Sequence, residues 1–143
     1  MLSKKAKYGL QAIIFLAKEE KKKKGPIQIA ELAKHEKIPK KFLEIILLEM
    51  RKHGILHSKM GVGGGYSLGK SADKISIGQI VRTLDGPLAE VSCVSKTAYH
   101  KCDECQNEKT CEIRKVMKQV RDSTARILDG TSLADVLKGK VNI

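Results

Sequence analysis

The chain has 143 residues, 41% of them apolar and 31% charged, with four Cys, no Trp and a net charge of +12. That suffices for one domain, or a small domain with an appended helix, around an aliphatic core; the aromatic side chains are only Tyr8, Phe15, Phe42, Tyr66 and Tyr99. No apolar run approaches the roughly 18 residues of a membrane helix, and lysines on both sides of the Leu10–Ala17 stretch do not give a signal-peptide layout.

The expected compartment is therefore the cytoplasm. There, clustered cysteines are more often metal or redox sites than structural disulfides. Charge is unevenly placed. Residues 1–70 carry 16 Lys/Arg against 6 Asp/Glu, a net of +10, while residues 71–143 carry 12 against 10, a net of +2. A basic half of this kind faces a polyanion. An anionic membrane fits less well, because no basic segment has the bulky apolar face of an interfacial helix.

Ser3 is a suitable N-cap, and Tyr8, Leu10, Ile13, Ile14 and Ala17 recur at helical spacing, which predicts a helix over 4–20. Lys21–Lys24 reads as a solvated loop ending at Gly25-Pro26. A short helix follows over 27–34, with Ile29, Ala30, Leu32 and Ala33 inward and a turn at 35–38. Pro39 suits the first position of the next helix, which runs from Lys40 to Lys52 and stops at Gly54. Two helices, a short turn and a basic start to the second make a helix-turn-helix pattern.

Residues 55–59 and 66–68 alternate as strands around the tip Met60-Gly61-Val62-Gly63-Gly64-Gly65, which predicts a β-hairpin. A hairpin at this place is the wing of a winged helix. A nucleotide-phosphate loop is excluded, since no Gly-Lys-Ser/Thr follows the glycines and no helix opens there. The glycines let backbone approach a groove closely. The predicted DNA contacts are Lys40, Lys41 and Glu44 on the second helix, and Ser58, Lys59, Gly63, Gly64 and Gly65 in the wing. Glu44 reads equally well as an acceptor from cytosine N4 or as an exposed partner of Lys40 or Lys41. Tyr66 reads as wing packing, and His35, His53 and His57 as surface or element-end residues.

A further helix is expected around Gly78–Leu84, ended by Asp85-Gly86-Pro87. From Glu112, Ile113, Val116, Met117, Val120, Ile127 and Leu128 form an apolar stripe opposite Arg114, Lys115, Lys118, Arg121 and Asp122. This predicts a helix of about 17 residues, roughly 25 Å long. Thr131 or Ser132 caps a last short helix, Leu133–Leu137. The expected fold class is mainly α: a winged helix-turn-helix over 1–86, a cysteine-rich loop over 87–111, and a dimerisation helix with a short C-terminal helix over 112–143.

All four cysteines, Cys93, Cys102, Cys105 and Cys111, lie within 19 residues at spacing C-x8-C-x2-C-x5-C. Flanked by Lys and Asp, they do not read as core packing. Three chemistries remain open. An iron–sulfur cluster needs soft thiolates on a loop that can wrap it. Structural zinc favours four thiolates, of which Cys102 and Cys105 have ribbon spacing. A metal-free thiol switch could draw on Lys96, Lys101 and Lys109 to lower thiol pKa values. An enzyme is not expected: no nucleophile motif pairs with a base, and the strand–helix context of a C-x-x-C oxidoreductase is missing before Cys102.

The run from Ile29 to Leu68, IAELAKHEKIPKKFLEIILLEMRKHGILHSKMGVGGGYSL, closely resembles the Rrf-two family of winged-helix regulators (the IscR, NsrR and CymR type). Ser76-Ile77-Gly78-Gln79-Ile80-Val81 and Thr131-Ser132-Leu133-Ala134-Asp135-Val136-Leu137 also match, so the resemblance covers essentially the whole chain. It implies a cytosolic homodimer that crosses its long C-terminal helices and binds a pseudo-palindromic operator in double-stranded DNA. It further implies an iron–sulfur cluster, 2Fe–2S or 4Fe–4S, on Cys93, Cys105 and Cys111, and favours that reading over zinc. Three departures stand out. Arg114 occupies the place of a histidine ligand three residues after the last Cys, Lys7-Tyr8-Gly9 stands where some members supply a carboxylate from the partner subunit, and Met60 replaces the usual wing arginine. Cys102 is an extra thiolate and the candidate fourth ligand, with His100 next.

Overall fold

The fold described here is that of a computed structural model, in which residues 2–22 and 25–140 are described. Six α-helices and one two-stranded hairpin follow in the order α1 Lys4–Lys21, α2 Ile29–Glu36, α3 Lys40–Lys52, β1 Leu56–Lys59, β2 Gly65–Leu68, α4 Ile77–Asp85, α5 Glu112–Asp129 and α6 Leu133–Leu137. Lys23 and Lys24, half of the predicted solvated loop, lie outside the described residues.

Ser3 caps α1 as expected, its Oγ accepting from the Ala6 N–H at 3.0 Å. Ile13 and Ala17 are buried together with Phe15 and Leu16, while Tyr8, Leu10 and Ile14 pack at the core's edge. Gly9 is where α1 crosses closest: a Cβ there would collide with the Leu84 side chain and stand 3.3 Å from Ile46. The helix-turn-helix is α2 and α3. Lys37 ends α2 in the left-handed conformation (φ 56°), and its N–H donates to the Ala33 carbonyl. Leu43, Ile46, Leu47 and Met50, at spacings of 3, 1 and 3, are wholly buried on the inner face of α3.

Three local expectations change. Ile27 is not helical; its N–H donates to Tyr66 O (2.9 Å) and its carbonyl accepts from Tyr66 N (2.8 Å), so it forms a bridge to the wing. Burial of Ile27 beside β2, with both its backbone groups paired to Tyr66, holds it extended. Ala30, expected inward, is exposed, because Leu32 alone in α2 reaches full burial. Pro39 is the flanking cap of α3 (ψ 125°), one residue before the helix proper.

The hairpin pairs antiparallel in the register Leu56↔Leu68, His57↔Ser67, Ser58↔Tyr66, Lys59↔Gly65. α4 is capped by Ser76, whose Oγ accepts from Gln79 N at 3.0 Å. α6 opens with a reciprocal capping box between Ser132 and Asp135. It folds back onto the first half of the chain: Leu133 N donates to Ile75 O (2.9 Å), Ile77 N donates to Thr131 O (2.9 Å), and Leu133 is fully buried in the core. The core is aliphatic, as expected; at its edge Tyr8 stands edge-on to Phe42, 5.6 Å between centroids.

α5 differs from every other long helix. It spans 18 residues, about 27 Å, and none is buried within the chain. Its apolar stripe is present and faces outward: Ile113, Val116, Val120 and Ile127 are all exposed. Arg82 of α4 holds its far end through a bidentate pair with Asp129 (2.5 and 2.8 Å). That hydrogen bond is the main reason the Asp129 carboxyl is held below its ordinary pKa and the Arg82 guanidinium above its own. No helix among the described residues is long and apolar enough to cross a membrane.

Candidate nucleic-acid interface and cysteine site

α3 presents one face away from the core. Lys40, Lys41 and Glu44 are exposed on its first turns, followed by Ile45, Leu48, Arg51 and Lys52. Among the described residues neither Lys40 nor Lys41 pairs with Glu44. The wing stands beside this face, and a contact absent from the sequence reading ties the two: Arg51 Nη1 donates to Ser58 Oγ at 3.0 Å. Arg51 is therefore a candidate interface residue that the sequence reading missed. The two residues are seven apart, with a helix end and a turn between them, so no periodic spacing announces the contact. Lys59 is exposed at the end of β1, and Met60 and Val62 stand nearly free of the protein at the tip.

The wing glycines divide into two groups. Gly61 and Gly63 have φ of 86° and 74° and shape the tip. Gly64 is buried, and a Cβ there would strike the Lys59 and Gly61 carbonyls. Gly65, at φ 135°, would strike the Ile27 carbonyl. The fold itself thus requires glycine at 64 and 65, whatever their part in binding. Tyr66 packs against the core, and His53 caps α3 with its Nδ1 2.9 Å from Glu49 O.

The four cysteines converge on one cavity of about 570 Å³, closed on one side by Val91, Ser92, Ile113 and Arg114. Each arrives differently. Cys93 lies buried in a short 3-10 turn, Ser92–Val94. Cys111 is the N-cap of α5, its Sγ accepting from Arg114 N at 3.4 Å. Cys105 is half-buried and Cys102 exposed. Cys102 lines the cavity and His100 does not. The Cys102 thiol donates to Glu104 at 3.1 Å, and this hydrogen bond raises its pKa above the ordinary thiol value. The hydrogen-bonded neighbour of this thiol is thus a carboxylate. Among the described residues no three His, Cys, Asp or Glu side chains stand at metal-binding spacing. The donor set nonetheless suits a soft metal centre: four thiols line one cavity, carried by a loop of largely irregular backbone.

Two arginines fasten this loop to α5. Arg114 Nε donates to the Cys93 carbonyl (3.4 Å) and lies 3.8 Å from Glu108, which also accepts from Tyr99. Arg121, seven residues on and so on the same helix face, donates to the Val94 carbonyl and to Asp122. Consecutive carbonyls of the Cys93 turn are thus gripped from one face of α5.

Residues 2–139 match the profile of the Rrf2 family, described as iron-dependent transcriptional regulators. The chain belongs to the Rrf2 family. A Rhodobacter capsulatus protein named as an rrf2-like HTH-type transcriptional regulator is 42% identical over 139 residues, covering 96% of this chain and 92% of that one. The regulator CymR of Bacillus subtilis is 33% identical, covering 94% and 88%. Its solved structure, titled as that of the global cysteine regulator, superposes with a TM-score of 0.76 at 30% identity over 95% of both chains. The structure titled "T. potens IscR" superposes with a TM-score of 0.75 at 29% identity, covering 98% of this chain and 88% of that one. As an Rrf2 protein the chain is a DNA-binding transcriptional regulator with a winged helix, not an enzyme.

Proposed function

We propose that this Rrf2 protein is a homodimeric, cytoplasmic repressor that senses iron–sulfur status, redox state or nitric oxide through a cluster held by Cys93, Cys102, Cys105 and Cys111. The observation that carries this reading is the convergence of all four thiols on one cavity at the foot of α5. An iron–sulfur cluster supplies iron–thiolate bonds that respond to oxidants, nitric oxide and iron supply.

The chain's own residues supply the rest. Drawing four thiolates together fixes loop 93–111. Arg114 and Arg121 carry the position of Cys93 and Val94 into α5, and Arg82 with Asp129 carries α5 into α4 and the winged helix. The exposed stripe of α5 packs on the same stripe of a second copy, so a change in its tilt alters the separation of the two α3 helices. Half-sites lie at fixed helical phase, so that separation decides binding to a pseudo-palindromic operator. Lys40, Lys41, Glu44, Ser58, Lys59 and Gly63–Gly65 form the contact surface.

The test uses duplexes selected by the protein from a random library roughly 30 base pairs long, room for two half-sites about one turn apart. Protein reconstituted with iron and sulfide, and the same protein stripped by chelator, should differ in affinity by tenfold or more, about 1.4 kcal/mol. Equal affinities would separate the cysteine site from DNA binding. One zinc per chain in place of iron would make the thiols structural.

A further inference from the structure

The outward face of α3 carries two side chains that neither the core nor phosphate binding uses. Ile45 is 54% exposed and Leu48 38% exposed, on a helix whose other large aliphatics, Leu43, Ile46 and Leu47, are fully buried. With Lys41 and Glu44 they form one surface row, since 41, 44, 45 and 48 follow the i, i+3, i+4, i+7 rule. The buried row 43, 46, 47, 50 lies on the other side, so Ile45 cannot turn inward while the core stays packed.

A single exposed aliphatic residue needs no explanation. Its surroundings are what narrow the choice here. Lys41 precedes the pair, Lys52 follows it, and Lys59 stands on the adjacent wing, all exposed. An apolar protein partner would bring nothing for those charges. A DNA duplex brings phosphates for the lysines and, on the floor of the major groove, one apolar group: the C5-methyl of thymine. Residues on the first turns of a recognition helix reach base edges, and Ile45 is the sixth residue of α3.

We propose that Ile45, backed by Leu48, is a specificity-determining residue that packs on thymine C5-methyl groups, so that each operator half-site carries thymine where the second turn of α3 crosses it. Glu44 beside it addresses the neighbouring base pair by hydrogen bonding, and Ile45 adds a contact that no hydrogen-bond reader can make. The inference rests on α3 being the reading helix.

The experiment begins from duplexes that the wild-type chain enriches from a random library. Each thymine of the enriched half-site is replaced in turn by 2′-deoxyuridine, which removes the methyl and leaves every hydrogen-bonding group in place. Wild type should lose about fourfold in affinity at one or more positions, the worth of about one buried methyl. Ile45→Ala should bind the thymine duplex more weakly and no longer distinguish thymine from deoxyuridine there. Ile45 is exposed, so the variant keeps its core; Leu48→Ala should weaken the discrimination without abolishing it. Unchanged wild-type binding to every deoxyuridine duplex overturns the proposal, as does full discrimination by Ile45→Ala. Loss of dimerisation by Ile45→Ala, with discrimination intact, would assign the pair to a second copy instead. Failure of the wild type to enrich any sequence would refute base reading by α3 itself.

Discussion

Lys37 is the only non-glycine among the described residues with a positive φ. It sits in the turn between α2 and α3, where the left-handed conformation costs an L-residue roughly 1–2 kcal/mol, partly offset by the greater freedom glycine has when unfolded. Lys37→Gly should therefore stabilise the fold by about 0.5–1 kcal/mol in urea unfolding. Gly65→Ala should act in the opposite direction, costing about 2 kcal/mol or more, because it combines an unfavourable φ with collision against Ile27. At this scale the sequence was half legible. The glycine-rich tip marks a wing, Ser3 marks the start of α1, and Ser132 was one of two cap candidates for α6, while Ser76, the cap of α4, was not singled out. The reason for Gly65 was hidden, since it depends on Ile27, far away in sequence. Arg51 on Ser58 and Glu104 on Cys102 were hidden likewise, because side-chain pairing across a turn leaves no spacing to read.

Among the elements, α3 and α5 were the most legible, since each carries a continuous apolar row at helical spacing. What the rows could not tell is which is filled within the chain. Leu43, Ile46, Leu47 and Met50 are buried; Ile113, Val116, Val120 and Ile127 are not. The start of α2 was misplaced because Ile27 continues its apolar pattern, yet belongs to the wing. The return of α6 to the core was also unreadable, since a five-residue helix has too short a pattern to show its partner. The arginine grip on the Cys93 turn makes the coupling testable. Arg121→Ala removes the donor to the Val94 carbonyl and leaves the cysteines untouched. Its visible absorption after reconstitution should match wild type, while the difference in DNA affinity between loaded and stripped protein should shrink severalfold. Retention of the full difference would show that α5 receives the signal by another route.

Across the whole molecule, charge and fold agree. Residues 1–70 carry a net of +10, and of its cations Lys40, Lys41, Arg51, Lys52 and Lys59 stand exposed on α3 and the wing. If Lys40, Lys41, Lys52 and Lys59 of both copies meet phosphates, raising salt from about 50 to about 200 mM should weaken binding by roughly four orders of magnitude. A filter-binding or anisotropy titration reads this slope, and a flat response would remove the electrostatic account. The four cysteines stand out in the sequence as one group within 19 residues. Their convergence on one cavity could come only from the fold, as did the exposure of Cys102 and the seclusion of Cys93.

The central claim is that these four thiols hold an iron–sulfur cluster. Purification of the chain without oxygen, followed by a visible spectrum and assays of iron, acid-labile sulfide and zinc, tests it most directly. The account predicts a brown protein with broad absorption near roughly 400 nm and matching iron and sulfide. It also predicts that Cys102→Ala perturbs the spectrum more than His100→Ala. A colourless protein, with zinc bound or with no metal even after reconstitution, would contradict it.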